Sequence, residues 1–284
     1  MLRSEEEAQH NPAIFSSLRG EPRLTVYRLP RAHIFPDPAE AEASGLLAVG
    51  GDLAPERVLL AYAQGIFPWY DEPPILWFSP DPRGVLPLRP ASGASPRAAS
   101  EQRAESNRAG ALHVPARLAR TLRQGLFRVT LDAAFEAVLA KCATVKRDGQ
   151  RGTWITAELA DTYRALHERG FAHSCETWHG KRLVGGVFGI AIGNAFFADS
   201  MFHSARDASK VALVTLAQHL AAQGFALMDC QLPTAHLATL GFQSWERARY
   251  LRALARAVRA KREPEKWALA AETDASATVD PSSR

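Results

Sequence analysis

The sequence predicts an α+β fold: a mixed-sheet domain over residues 111–262, preceded by a smaller α/β domain over 23–88. Three observations point to it. From 156 onward, apolar residues fall at helical and then strand spacing in the order helix, three strands, helix, strand, helix, which is not the alternation of a doubly wound sheet. Residues 24–88 are rich in Pro, Gly and aromatics and hold one helix-like stretch. Between the two lies RPASGASPRAASEQRAESNRAG (89–110), which has no apolar period and reads as a flexible insertion.

The elements follow in chain order. Residues 1–22 are polar and read as a flexible N-terminus. Pro55 to Gln64 is helical, with Asp52 as the expected N-cap, Pro55 in the first turn and Gly65 as the stop. Thr156 caps a helix that runs to Arg169 and ends at Gly170. Ala172–Trp178 is a strand, 179–182 (HGKR) a turn, LVGGVFGIAIG (183–193) a second strand, Gly193-Asn194 a hairpin turn and AFFADSMFH (195–203) a third strand. Ser209–Gln223 is a helix stopped by Gly224, Phe225–Gln231 a fourth strand, and Thr234–Leu240 a short helix. Residues 263–284 read as a disordered tail.

Composition narrows the function. The chain of 284 residues is 46% hydrophobic and 23% charged, enough for a sizeable core. Its three cysteines, Cys142, Cys175 and Cys230, lack the spacing of a zinc site or a disulfide framework, so no metal and a reducing compartment are expected. The N-terminus MLRSEEEAQHNPAIF has no apolar core of a signal peptide, and no apolar run reaches the roughly 18 residues of a membrane span, so a cytoplasmic protein without membrane contact is expected. Net charge is only +4 with a pI near 9.1, so the placement of the arginines matters more than their excess.

The element order is similar to the acetyltransferase-type fold of the GNAT superfamily, in which the strands before and after the main helix splay apart over a cleft. That likeness places Asp199–Met201 and Asp229–Gln231 on the two flanking strands. Acetyl-CoA enzymes of that fold hold pyrophosphate on a Gly-rich loop at the helix N-terminus. The corresponding loop here, FHSARDASK, has no glycine, so another acyl donor is expected.

A second resemblance rests on many ordered stretches. They are FPDP (35–38), GLLAVGGDL (45–53), AYAQGIFPWY (61–70), LWFSPDPRGVL (76–86) and GTWIT (152–156), then LVGGVFGIAIG (183–193), DSMFH (199–203), ASKVAL (208–213) and MDCQLPTAHLATLGF (228–242). In these the chain resembles the leucyl/phenylalanyl-tRNA–protein transferases. The resemblance implies a monomeric cytoplasmic enzyme without cofactor or metal. It would move Leu or Phe (Met less well) from Leu-tRNA or Phe-tRNA onto proteins that begin with Arg or Lys, creating a degradation signal.

It also implies site residues. Asp229 and Gln231 are the catalytic pair: in a strand, residues two apart share a face. Both would then address the cleft, while Cys230 turns to the core as an inert thiol. A neutral amide is a poor base, so a positioning role suits Gln231, with the tRNA ribose hydroxyls helping to move protons. Asp199 stands where the family carries Glu and would meet the acceptor's basic residue or α-amine. Val187, Phe196, Met201, Leu213, Leu216 and Met228 would line the amino-acid pocket. Trp69 and Trp154 would contact the terminal adenosine and its aminoacyl group. Arg117, Arg120 and Arg123 stand in a stretch free of acids from Asn107 to Leu131 and suit a helix face meeting tRNA phosphates. A second acid-free run, RARYLRALARAVRAKR (247–262), could do the same or form a solvated face. The competing readings are a CoA-dependent N-acetyltransferase, a non-catalytic module binding the tRNA acceptor end, and an arginyl-transferase, which an apolar donor pocket fits badly.

Overall fold

A computed structural model describes residues 26–88, 112–145 and 154–269. The expected flexible segments at 1–22 and 89–110 lie outside the described residues. Strands β1 (Tyr27–Leu29), β2 (Leu46–Gly50), β3 (Phe67–Pro68) and β4 (Leu76–Phe78) form a small mixed sheet in the order β1-β2-β4-β3, with helix α1 (Pro55–Ala63) between β2 and β3. The large sheet has the order β11-β5-β10-β9-β8-β7-β6. It comprises β5 (Arg83–Pro87), β6 (Arg128–Leu131), β7 (Ala172–His179), β8 (Arg182–Ile192), β9 (Ala195–His203), β10 (Leu227–Asp229) and β11 (Gln243–Trp245). Only β9 and β10 run parallel in it. The sheet thus continues across the domain boundary expected at 88, because β5 pairs with β10.

The other helices are α2 (Ala116–Arg123), α3 (Phe135–Thr144), α4 (Ala157–Glu168), α5 (Ala208–Ala222), α6 (Ala235–Ala238) and α7 (Arg247–Ala257). Alternation along the strands sorts the core into two layers. Phe188, Phe197 and Leu227 pack with Tyr62, Val138, Tyr163 and Tyr250 from α1, α3, α4 and α7. Val187, Phe196 and Met228 pack with Leu118, Leu213, Leu216 and Leu237 from α2, α5 and α6. No helix among the described residues is long and apolar enough to cross a membrane.

Helix ends follow local chemistry. Thr156 Oγ1 accepts the Leu159 N–H at 3.3 Å, and Thr234 Oγ1 accepts that of Leu237 at 3.2 Å. Asp52 is not the cap of α1: Ala54 holds that position. Asp52 instead accepts the Ala54 N–H at 3.0 Å and pairs with Arg57 at 3.1 Å, while Pro55 has no N–H to satisfy. The chain beyond 263, expected as tail, packs as far as Leu269. The Trp267 ring stacks on His173 at 3.6 Å, and the Trp267 backbone N–H donates to Asp132 Oδ2 at 2.8 Å.

Candidate active site

The parallel pairing of β9 and β10 lasts three residues, Leu227–Asp229 against Ala195–Phe197. Past that point the strands part, and a cavity of about 380 Å³ opens between them. Strand β10 is shorter than expected at both ends; beyond Asp229, Gln231 takes φ 59°, the left-handed region, with its carbonyl still accepting the Gly84 N–H of β5 at 3.0 Å. Alternation therefore does not account for how Asp229 and Gln231 are placed. They face different partners.

Asp229 is fully buried and saturated. Arg83 Nε donates to Oδ1 at 2.9 Å and Nη2 to Oδ2 at 2.7 Å; Tyr250 Oη donates to Oδ2 at 2.7 Å and the Gln231 N–H to Oδ1 at 2.8 Å. Arg83 in turn gives Nη1 to the Gly65 carbonyl at 2.9 Å and stands over the Phe67 and Tyr250 rings. Burial disfavours the guanidinium charge, but Asp229 more than restores it. Asp229 is not among the cavity-lining residues. It pins the backbone turn that aims Gln231.

Gln231 sends Nε2 to Asp199 Oδ1 at 3.1 Å. Asp199 sits in a bulge of β9: Phe188 pairs with Ser200 and Gly189 with Ala198, leaving Asp199 as the extra residue, which re-aims its side chain. Opposite it only glycine fits, since a Cβ on Gly189 would lie 1.9 Å from the Phe197 carbonyl oxygen. Tyr62 Oη donates to Asp199 Oδ1 at 2.8 Å and is itself 3.0 Å from Tyr163 Oη. Asp199 Oδ2 is enclosed and has no hydrogen-bond partner among the described residues. Burial pushes the carboxyl up to about 8, against the pull of the tyrosine hydroxyls.

The cavity wall includes Trp69, Trp154, Phe67, Val187, Met201 and Leu213. Trp69 is half-buried and meets Phe78 edge-on at 5.5 Å; Trp154 is 9% exposed. Phe196, Leu216 and Met228, expected on the wall, are fully buried behind it in the same apolar layer. The correction has a simple cause: an apolar pattern identifies burial and does not separate a wall from its backing. Cys230, expected in the core, also lines the cavity. Its Sγ donates to the Gly84 carbonyl at 3.3 Å, and burial with the nearby Asp229 charge pushes the thiol up, which keeps it unreactive.

The three arginines of α2 are exposed, but Arg117 is engaged by Asp207 at 2.7 Å, at the N-terminus of α5. In the second basic run, Arg247 is structural, donating to the carbonyls of Ser79, Ala39 and Ala41. Arg249, Arg252, Arg256 and Arg259 are exposed. No group of three or more His, Cys, Asp or Glu among the described residues could hold a metal ion. Sequence reasoning missed Tyr62, Arg83, Tyr163 and Tyr250. Tyr62 and Arg83 lie inside two quoted stretches, AYAQGIFPWY and LWFSPDPRGVL; Tyr163 and Tyr250 had no separate signal.

Comparison with known proteins bears on this geometry. Residues 108–255 match the family model described as leucyl/phenylalanyl-tRNA protein transferase, and 51–81 match that of its N-terminal domain. The leucyl/phenylalanyl-tRNA–protein transferase of Anaeromyxobacter sp. (strain K) is 51% identical over 247 residues, covering 87% of this chain and 97% of the relative. That of Myxococcus xanthus (strain DK1622) is 47% identical, covering 88% and 100%. Among solved structures, L-PGS from Bacillus licheniformis matches at a TM-score of 0.32 and 12% identity over 66% of this chain and 54% of that one, too distant to carry an argument. With half of its length inside the family model and near-complete coverage of relatives at this identity, the chain belongs to the leucyl/phenylalanyl-tRNA–protein transferase family, a family of aminoacyltransferases.

Proposed function

We propose that the protein transfers leucine or phenylalanine, and methionine less well, from aminoacyl-tRNA to proteins that begin with Arg or Lys, leaving an N-terminus that marks them for degradation. The observation that carries this is the apolar cavity with one polar corner, where Asp199 and Gln231 are bonded to each other. The cavity takes the apolar side chain of the donor. Its wall is mostly apolar, with Val187, Met201, Leu213 and Leu237 among the lining residues, so an extra methylene changes affinity by only ~1–3 kcal/mol and several apolar residues are accepted. Trp69 and Trp154 offer rings to the terminal adenosine, and Arg120 and Arg123 offer charge to the phosphates. The reaction is aminolysis of an ester already activated on the tRNA, so neither nucleotide nor metal is needed.

The separation of β9 from β10 supports an acetyltransferase-type arrangement of the 111–262 domain. The place where such a fold would hold a pyrophosphate speaks against CoA. There Asp207, the N-cap residue of α5, brings a carboxylate, held by Lys210 at 3.0 Å and by Arg117, whose charge opposes a pyrophosphate beside it. We place the enzyme in the cytoplasm as a monomer.

The test is transfer of labelled Leu from Leu-tRNA to an Arg-initiated and an Asp-initiated peptide, with acetyl-CoA as competing donor. Transfer to the Arg peptide alone is expected. Acetylation, or tight tRNA binding without transfer, would overturn the proposal in favour of an acetyltransferase or a binding module.

A further inference from the structure

The transfer chemistry needs a base, because the attacking α-amine has a reference pKa near 8 and is largely an ammonium at neutral pH. Asp229 is spent: Arg83, Tyr250 and the Gln231 N–H occupy its oxygens, and it does not reach the cavity. The Gln231 amide is not basic, and its Nε2 is already given to Asp199. The Cys230 thiol is held neutral by burial. Of the residues that line the cavity, Asp199 alone carries a carboxyl group.

That carboxyl is built asymmetrically. Oδ1 accepts from Tyr62 and Gln231, which fix its orientation, while Oδ2 is enclosed and unpartnered. In the ionised carboxylate Oδ2 is a buried acceptor without a donor, which calls for one to arrive, and an α-ammonium brings three. We infer that Asp199 is the general base of the transfer, taking a proton from the acceptor's α-ammonium at Oδ2. This rests on the function proposed above.

Asp199 removes one proton from the ammonium and becomes a carboxylic acid. The freed lone pair of nitrogen forms the bond to the ester carbonyl carbon, whose π pair moves to oxygen. Collapse restores the carbonyl and breaks the bond to the ribose oxygen, which leaves with its electron pair. That oxygen takes the second proton lost by nitrogen, directly or through the neighbouring hydroxyl. Asp199 then returns its own proton to solvent. The groups that set its ionisation are Tyr62 on α1, Tyr163 on α4, Arg83 on β5 and Asp229 at the end of β10; burial holds it at about 8 and the two tyrosine hydroxyls favour its charged form. Donor and acceptor of the proton are thereby matched.

The experiment measures kcat against pH, and KM for an Arg-initiated peptide and for Leu-tRNA, in wild type, Asp199→Asn and Tyr62→Phe, each checked for folding by circular dichroism. Asp199→Asn is expected to lower kcat about 10²–10⁴-fold with KM for Leu-tRNA unchanged. Tyr62→Phe removes a hydrogen bond that favours the carboxylate, so the acid limb of kcat should move to higher pH. A limb that belongs to the amine itself would stay in place. An Asp199→Asn enzyme with near-normal kcat and a raised peptide KM would overturn the base and leave a binding group; so would an unmoved limb in Tyr62→Phe, which also decides the matter if the asparagine variant fails to fold. Wild type that transfers nothing overturns the transfer itself and the base with it.

Discussion

Arg83 and Asp229, 146 positions apart in the chain, form a two-pronged ion pair with no solvent exposure on either side chain, Nη2 to Oδ2 at 2.7 Å. The pair joins β5 to β10 beside the point where β10 parts from β9. Removing one partner strands the other charge in the core, a loss of about 3–5 kcal/mol. Asp229→Leu and Arg83→Met should each show it in urea unfolding. In the double variant Asp229→Leu/Arg83→Met neither charge remains, so its cost should fall below the sum of the single losses by more than about 1 kcal/mol. Strict additivity would mean that the two charges do not support each other.

Gln231 combines a strained backbone with a side chain bonded to Asp199. At φ 59° a non-glycine residue gives up about 1 kcal/mol, which glycine does not. Gln231→Gly should therefore keep or slightly raise Tm while transfer falls at least tenfold, because Asp199 loses its Nε2 donor. Gln231→Val should lose both, being β-branched in a left-handed position. Equal activity of the glycine variant would show that the side chain positions nothing.

Much of this was legible in the sequence because its signals are local. Periodicity and turn residues placed β7, β8, β9 and α5 within a residue or two, and Thr156 read as a cap from its own chemistry. Gln231 could not be read that way: its left-handed turn is held by a carboxylate that Arg83 and Tyr250 anchor from distant strands and helices. Nor could the unpartnered oxygen of Asp199, which depends on a one-residue bulge in β9 and on hydroxyls from α1 and α4. Phe196 and Met228 look like Met201 and Leu213 in a pattern of apolar residues; only the opening of the strands separates backing from wall.

Val187 faces the cavity from β8. Val187→Phe fills part of the space, which should penalise the larger donor side chain. The expected change is a shift in kcat/KM of about tenfold or more towards Leu over Phe, within the ~1–3 kcal/mol that an apolar pocket can discriminate. Leu216→Met, one layer behind, should leave the ratio nearly as it was. A ratio that follows Leu216 and ignores Val187 would place the donor side chain elsewhere.

Arg120 and Arg123 are exposed on α2 without an ion pair among the described residues, whereas Arg117 is tied to Asp207. If they meet tRNA phosphates, replacing each with alanine removes one counterion-releasing contact. The slope of log Kd for aminoacyl-tRNA against log salt should then fall by about 1 per arginine, with less change for Arg117→Ala. Slopes that stay fixed would make α2 a solvated face.

Asp199 carries a cost in stability whose sign can be worked out. Its folded-state pKa, about 8, lies above the ordinary carboxylate value near 4, so the folded protein holds this proton more tightly than the unfolded chain does. Below about pH 4 both states are protonated and the group's favourable contribution is fully present. As pH rises from there through 8 the native state must ionise a buried carboxyl or keep its proton against the solvent, and the contribution is lost at up to about 1.4 kcal/mol per pH unit. The amide introduced by Asp199→Asn would not titrate, and groups common to both proteins cancel in the difference between them. Asp199→Asn should therefore come nearest to wild type in Tm at about pH 4 and below, and exceed it increasingly from there towards pH 8, by roughly 2–4 °C for each kcal/mol. Thermal unfolding of the two proteins at pH 5, 6.5 and 8 decides it. Melting curves that stay parallel across that range would mean Asp199 ionises as an ordinary carboxylate, without the upward push of burial.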